Sequence, residues 1–190
     1  NRLELMENLS DALEKNMDSL IASVPKEFQH DSAAISRCTG TDLAERFDRW
    51  REYGNLTWLC HNLWLQYRHS MDDRFLRNRL YPLLRRAVNL YLHVLTKGAD
   101  GRYHMPPAHC PESFDGPDNN YDLSSIRWGC DTLLAISKRL NIRDELAPKW
   151  EDVRQNLVLF PQDEHGFSGG PGTPAPRGHR HWSHMLMIYP

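Results

Sequence analysis

The chain has 190 residues, the length of one domain or of a piece of a larger one. Its 23 basic and 25 acidic side chains leave a net charge of -2, and the arginines are interspersed with Asp and Glu, which argues against a nucleic-acid partner. No apolar run approaches the length of a membrane span, while 40% hydrophobic residues can support a packed core. Residue 1 is Asn, so the lack of a leader peptide carries no weight.

Met6, Leu9, Leu13, Met17, Leu20 and Val24 recur every three or four residues and mark one helical face, stopped by Pro25. Residues 26–54 read as irregular, punctuated by Gly40 and Gly54, with a short helix expected at 41–52. The stretch 55–70 places Leu59, Leu63, Trp64 and Tyr67 on one side of a second long helix. Asp72 suits the cap of the next helix, and Pro82 either starts a new helix or kinks the one from 73. Leu84, Val88, Tyr91, Leu92 and Leu95 carry an apolar face to Lys97, where Gly98 ends it. Residues 98–121 form a long loop in which Tyr103–Met105 is the one short strand expected. Asp122 suits the N-cap of a helix over 123–140 whose face is Leu123, Ile126, Cys130, Leu133, Leu134 and Leu140. Pro148 fits the first turn of a further helix with Trp150, Val153 and Leu157 inward. Residues 160–180 form a second Gly/Pro-rich loop, and His181–Tyr189 begins a last helix.

The pattern is all-α, with helix pairs joined alternately by short turns and long loops. It suits an α/α toroid, whose long loops gather at one end and form the site. It also suits an irregular bundle or solenoid. Cys38, Cys60, Cys110 and Cys130 lie at least twenty residues apart without a C-x-x-C, which argues against a zinc ribbon. Plain buried or unpaired thiols are expected, with one or two disulfides the alternative in an oxidising compartment. The sequons at Asn8 and Asn55 are of a kind common by chance.

Chemistry concentrates in the two long loops. The first carries His104, His109, Glu112, Asp115, Asp118, Asn119, Asn120, Tyr121 and Asp122. Acids and amides form hydrogen-bond pairs with vicinal hydroxyls, and aromatic rings stack on the apolar face of a pyranose. A carboxyl group whose pKa is raised by apolar neighbours can act as a general acid. The plainer reading makes Asp118, Asn119 and Asn120 turn formers, with Asp122 as the cap. At the C-terminal end His179, Arg180, His181, Trp182, Ser183 and His184 crowd together. They read as sugar contacts, as structural hydrogen bonds, or as a metal site. His181 and His184 share a helix face, but the acid of H-E-x-x-H is missing and no metal is assigned. Trp58, His61 and Trp64 form an aromatic stripe that reads as core or as site.

Four segments together resemble the glycoside hydrolase family 95 catalytic domain, that of α-L-fucosidase/α-L-galactosidase-like enzymes. Asn1–Leu5 resembles the helix after the family's Asn-rich Met-Asn-Tyr-Trp segment. The stretch Trp58–Leu95, with His61, Leu63-Trp64, Tyr67, Asp72, Phe75-Leu76 and Tyr81-Pro82-Leu83, resembles its W…HLW-x-x-Y…D-x-x-FL…YPLL helices. Pro117-Asp118-Asn119 is similar to its S-P-E-N, and His179–His184 with Tyr189-Pro190 to its HRH-x-SHL…LYP.

The resemblance implies part of an (α/α)6 barrel and inverting hydrolysis of an α-linked sugar, fucoside- or galactoside-like, without a cofactor. Inversion needs an acid and a water-activating base about 6.5–9.5 Å apart. The family's acid, the Glu of S-P-E-N, falls at Asp118, one methylene shorter, with Glu112 the alternative six residues upstream. The resemblance points to Asn119, Asn120, Tyr121, Trp58, His61, Trp64, His179, His181, Trp182 and His184 for binding carbohydrate. The family's water-activating groups are two Asn upstream of residue 1 and an Asp beyond Pro190. Residues 1–190 are therefore expected to be about half of a catalytic domain, truncated at both ends and inactive alone. Polymeric glycan substrates imply a bacterial periplasmic or secreted setting; the oligomeric state is not legible. Two alternatives stay open: a non-catalytic carbohydrate-binding toroid, and an α/α-toroid polysaccharide lyase or epimerase using Tyr121, His181 and Arg180.

Overall fold

The N-terminal apolar stripe folds as two helices rather than one. In the computed structural model, which describes residues 3–44, 52–110, 114–173 and 183–188, α1 (Leu3–Lys15) and α2 (Met17–Ala22) part at Asn16. Asn16 leaves helical geometry (φ -109°, ψ 26°), and its amide donates to the Ala12 carbonyl at 2.8 Å. Asn competes with the helical ladder in this way, and the same apolar period running through both helices hides the break. Pro25 then opens a 3₁₀ turn over Lys26–Phe28. The helix expected at 41–52 falls largely outside the described residues, and its described beginning, 41–44, is a turn.

Helix α3 (Asn55–Ser70) has the bounds its sequence predicts, and its inward stripe is Leu56, Cys60, Leu63 and Tyr67. Met71 in the left-handed region (φ 54°) ends it. Asp72 caps α4 (Asp73–Phe75), its Oδ1 accepting from the Arg74 and Phe75 amides at 2.8 and 3.4 Å. A π-helical turn over Leu76–Leu80 joins α4 to α5 (Tyr81–Val94). Pro82, the second residue of α5, has no N–H to give and would crowd the Asn78 carbonyl in a regular helix; the widened turn relieves both.

Helix α5 stops three residues before the expected Lys97, because Thr96–Lys97 pair as β1 with β2 (Tyr103–His104). A second antiparallel hairpin joins β3 (Ala108–Cys110) to β4 (Phe114–Gly116). Helix α6 (Asn120–Leu140) comes next, then α7 (Ala147–Asn156) with Pro148 in its first turn. A third hairpin, β5 (Gln162–Asp163) with β6 (Gly166–Phe167), occupies the second long loop, and Ser183–Ile188, within the stretch expected to begin a last helix, is a 3₁₀ helix. Strands of two or three residues are too short to show a period of two, so the sequence predicts only β2.

The helices pack as successive neighbours: α3 on α1 and α5, α6 on α5 and α7, and the Ser183–Ile188 turn on α6. One apolar core runs through them, including Leu13, Leu20, Leu63, Leu84, Ile126, Leu133 and Trp150. Each such side chain contributes about 1.5–3 kcal/mol by burial. A Cβ on Gly129 would lie 2.6 Å from the Val88 Cγ2, so the close α5–α6 approach needs a residue without one. The four cysteines are free, and burial pushes the Cys130 thiol up to about 12. No described helix is long and apolar enough to cross a membrane.

Candidate active site

The two long loops gather over the start of α6, as a toroid-like plan requires. The Asn120 backbone N–H donates to the Gly169 carbonyl at 2.9 Å, and its side-chain amide to the Ser168 carbonyl at 3.5 Å. Asn119, not Asp122, is the N-cap: its Oδ1 accepts from the Asp122 backbone N–H at 2.8 Å. This corrects the expectation for Asp122 and frees its carboxyl for another task. Asp122 is fully buried, its Oδ1 accepting from the Tyr91 hydroxyl at 2.9 Å and its Oδ2 from the Asn119 amide at 2.8 Å. Burial, with some help from the charge on Glu52, raises its pKa to about 7 against the pull of those two hydrogen bonds.

Tyr121 extends this network toward the start of α3. Its hydroxyl donates to Asn55 Oδ1 at 2.6 Å, and the Asn55 amide donates to Glu52 Oε2 at 2.9 Å. Glu52 is buried and pairs with Arg37 at 2.6 Å, with the His109 ring 3.6 Å away. His109 itself is bonded to Asp115 across the β3–β4 hairpin. A Cβ on Gly54 would come within 2.6 Å of the Tyr121 ring, so only glycine lets α3 begin this close. The Trp58 ring meets the Tyr121 ring edge-on at 5.6 Å, and Trp58 and Tyr53 both keep exposed surface.

Asp118 has a different neighbourhood. It sits in the left-handed region (φ 49°), which Asp tolerates better than most residues. Its Oδ1 accepts from the Met105 backbone N–H and its Oδ2 from His104 Nδ1, each at 2.7 Å. The Asp118 N–H returns a bond to the Met105 carbonyl at 3.3 Å. Asp118 thus stitches the end of β2 to the entry of α6. The Asp118 hydrogen bond raises the His104 pKa above the ordinary imidazole value; desolvation opposes it, and a weaker contribution from Asp100 adds to the rise. Stability from this contact is full below the unfolded-state pKa and fades as pH rises through the folded-state one. We expect the His104 ring resonances to titrate above pH 6.5 by NMR, and Asp118→Asn to move that midpoint down. An unmoved midpoint would mean that another group holds the proton.

Of the residues the sequence marks for the site, Trp58, Asn119, Asn120 and Tyr121 come together where α3 and α6 begin, with Asp118 beside them. His61 and Trp64 do not join them. They lie about 4.5 and 9 Å farther along α3. His61 is buried edge-on against Trp128, its pKa lowered by burial, and Trp64 packs on Tyr67 under the Arg68 guanidinium. Glu112, His179, His181 and Trp182, like Arg180, lie outside the described residues, as does the His184 side chain. Glu52, Asn55 and Tyr91 are not marked for the site by the sequence. Asn55 stands out there only as a sequon, Tyr91 only as part of an apolar face, and Glu52 carries no motif. Tyr121 is fully buried with its hydroxyl committed to Asn55, and burial holds its pKa well above 10, which makes it a poor proton-abstracting group for the lyase alternative.

Residues 3–190 match the glycosyl hydrolase family 95 catalytic domain. A 55-residue segment is 40% identical to Alpha-L-fucosidase 2 of Arabidopsis thaliana, covering 29% of this chain and 6% of that protein. The described fold is accordingly a helical sector of an (α/α)6 barrel, and the chain belongs to glycoside hydrolase family 95.

Proposed function

We propose that this chain supplies the acid-bearing and part of the sugar-binding side of an inverting glycosidase that cleaves α-L-fucosides or similar α-linked sugars. The observation that carries the reading is the convergence of Trp58, Tyr121, Asn55 and Glu52 at the helix starts, beside the strand that leads to Glu112. Strand β3, whose last residue is Cys110, packs against α6, which carries Tyr121, and Glu112 comes two residues after Cys110 in the sequence.

We assign the proton donor to Glu112 rather than to Asp118. A general acid must present a proton to the leaving oxygen. Both Asp118 oxygens already accept hydrogen bonds from within the protein, so Asp118 is a positioning residue for the loop. Trp58 offers an apolar face to a sugar ring, and Asn55, Asn119 and Asn120 hold the helix starts in register. The base that activates water comes from outside this chain in this scheme. Substrates of this kind place the enzyme outside the cytoplasm, in the periplasm or secreted.

The test is hydrolysis of an aryl α-L-fucoside and an aryl α-L-galactoside by the full catalytic domain containing this chain, monitored by proton NMR. The β-anomer should appear first. Release of the α-anomer first would refute inversion, and no turnover of either glycoside would remove the hydrolase reading in favour of a sugar-binding one.

A further inference from the structure

A separate cluster uses none of the residues of that network. His30 and Asp31 come just after the 3₁₀ turn that succeeds α2, and His93 lies in the last turn of α5. His93 Nε2 is 2.8 Å from Asp31 Oδ1, and His30 Nε2 is 3.6 Å from Asp31 Oδ2. One donor atom from each of the three residues lies within 4.8 Å of the other two.

We propose that His30, Asp31 and His93 bind a divalent transition metal, zinc in the first instance, with water completing four-fold coordination. Four features of the cluster support this. The donors are two imidazole nitrogens and one carboxylate oxygen, a set that suits zinc and ill suits calcium or magnesium, which take oxygen. The His30 ring is already in the correct tautomer: Nδ1 faces the Glu27 carbonyl at 2.9 Å, can only donate there, and leaves the Nε2 lone pair free. The His93 ring is held flat against Phe28, with centroids 4.4 Å apart and planes 9° from parallel. Ser32 Oγ donates to Asp31 Oδ1 at 2.9 Å, an outer-shell bond of the kind that orients a metal-binding carboxylate.

The backbone of the cluster is also fixed. Arg86 Nη1 donates to the Gln29 and Ser32 carbonyls at 3.2 and 3.1 Å, and the Asn89 amide to the Asp31 carbonyl at 3.2 Å. Both residues belong to α5, so the segment carrying His30 and Asp31 is clamped to the helix carrying His93. Zinc bonds of about 2.0–2.2 Å in a tetrahedron set donors roughly 3.4 Å apart. The His30–Asp31 spacing meets that already. The His93–Asp31 pair opens by a few tenths of an ångström, with the His93 proton passing to Nδ1. The remaining closure falls on His30, whose side chain is 67% exposed and can pivot about its Nδ1 bond to the Glu27 carbonyl.

The experiment is zinc titration of the metal-stripped, untagged full catalytic domain containing this chain by calorimetry, with His30→Gln and His93→Gln alongside. One zinc per chain is expected, bound at least about tenfold more weakly in either variant. Zinc should raise Tm by on the order of 5 °C at a hundredfold excess over Kd. Cobalt should give the intense visible absorption of a four-coordinate site. His93→Gln loses the stack on Phe28; if it fails to fold, His30→Gln decides, since that side chain is largely in solvent. Zinc binding unchanged in His30→Gln, no heat at about 100 μM zinc, or an equal response to calcium would each overturn the proposal.

Discussion

Glu112→Gln in the full catalytic domain is expected to lower kcat/KM for an alkyl α-L-fucoside by roughly a hundred- to ten-thousand-fold, the ordinary contribution of general acid catalysis. KM and thermal stability should stay close to wild type, because Gln preserves shape and removes only the proton. The deficit should shrink for an aryl fucoside whose leaving group departs as a stable anion, since that reaction needs little protonation. Asp118→Asn should behave differently. It breaks the stitch to His104 while keeping an acceptor for the Met105 amide, so a loss of about 1–2 kcal/mol in stability and a modest fall in rate are expected. The two variants discriminate cleanly. If Asp118→Asn abolished turnover of the alkyl substrate and Glu112→Gln spared it, the assignment would reverse.

Asp122→Ala is expected to cost about 3–5 kcal/mol, the largest stability effect of any polar substitution considered. Its carboxyl receives hydrogen bonds from Tyr91 and Asn119 in a fully buried setting, and truncation strands both donors. Asp122→Asn keeps the volume and one acceptor and should cost far less at neutral pH. The pH dependence has a definite sign. With a folded-state pKa of about 7, well above the unfolded value, the folded protein holds an extra proton between roughly pH 4 and 7. Stability from this group therefore falls as pH rises through that window and levels off above it, by on the order of 4 kcal/mol. Urea denaturation at pH 5 and pH 8 measures the difference, and Asp122→Asn should lose most of it. An identical pH dependence in the variant would assign the effect elsewhere, His104 being the next group with the same sign.

What the sequence discloses here scales with the length of the signal. Helix α3 has sixteen residues of apolar period between a glycine and a left-handed Met71, and its bounds are read correctly. Asp72 and Pro148 act through their own side chains within one turn, so they too are legible. The three hairpins are not, since two or three paired residues leave no period to detect. The site shows the same division. Trp58, Asn119 and Tyr121 stand out by type and place. Glu52 and Asn55 matter only because Gly54 lets Tyr121 approach from 66 residues away, and no local pattern records that approach. The exchange between Asn119 and Asp122 shows how a correct motif can be given the wrong owner. Both residues are good caps and both are fully buried; the cap falls to Asn119 because its backbone is extended (φ -69°, ψ 147°), whereas Asp122 already lies inside the helix.

The π-helical turn before α5 has a consequence for phase. Leu76, Leu80, Leu84 and Val88 are all fully buried although successive members are four residues apart. Around an ordinary α-helix each such step overshoots a full turn by about 40°, which would swing the stripe well away from the core over three steps. The single wide turn absorbs part of that overshoot, so one uninterrupted rod points its early and late leucines the same way. Removing one residue between 76 and 80 would therefore act as a rotation rather than a shortening. It would turn the Asp73 end of the rod by about a quarter-circle relative to α5, and carry Asp73 away from the Arg139 guanidinium that now holds it to α6 at 2.7 Å.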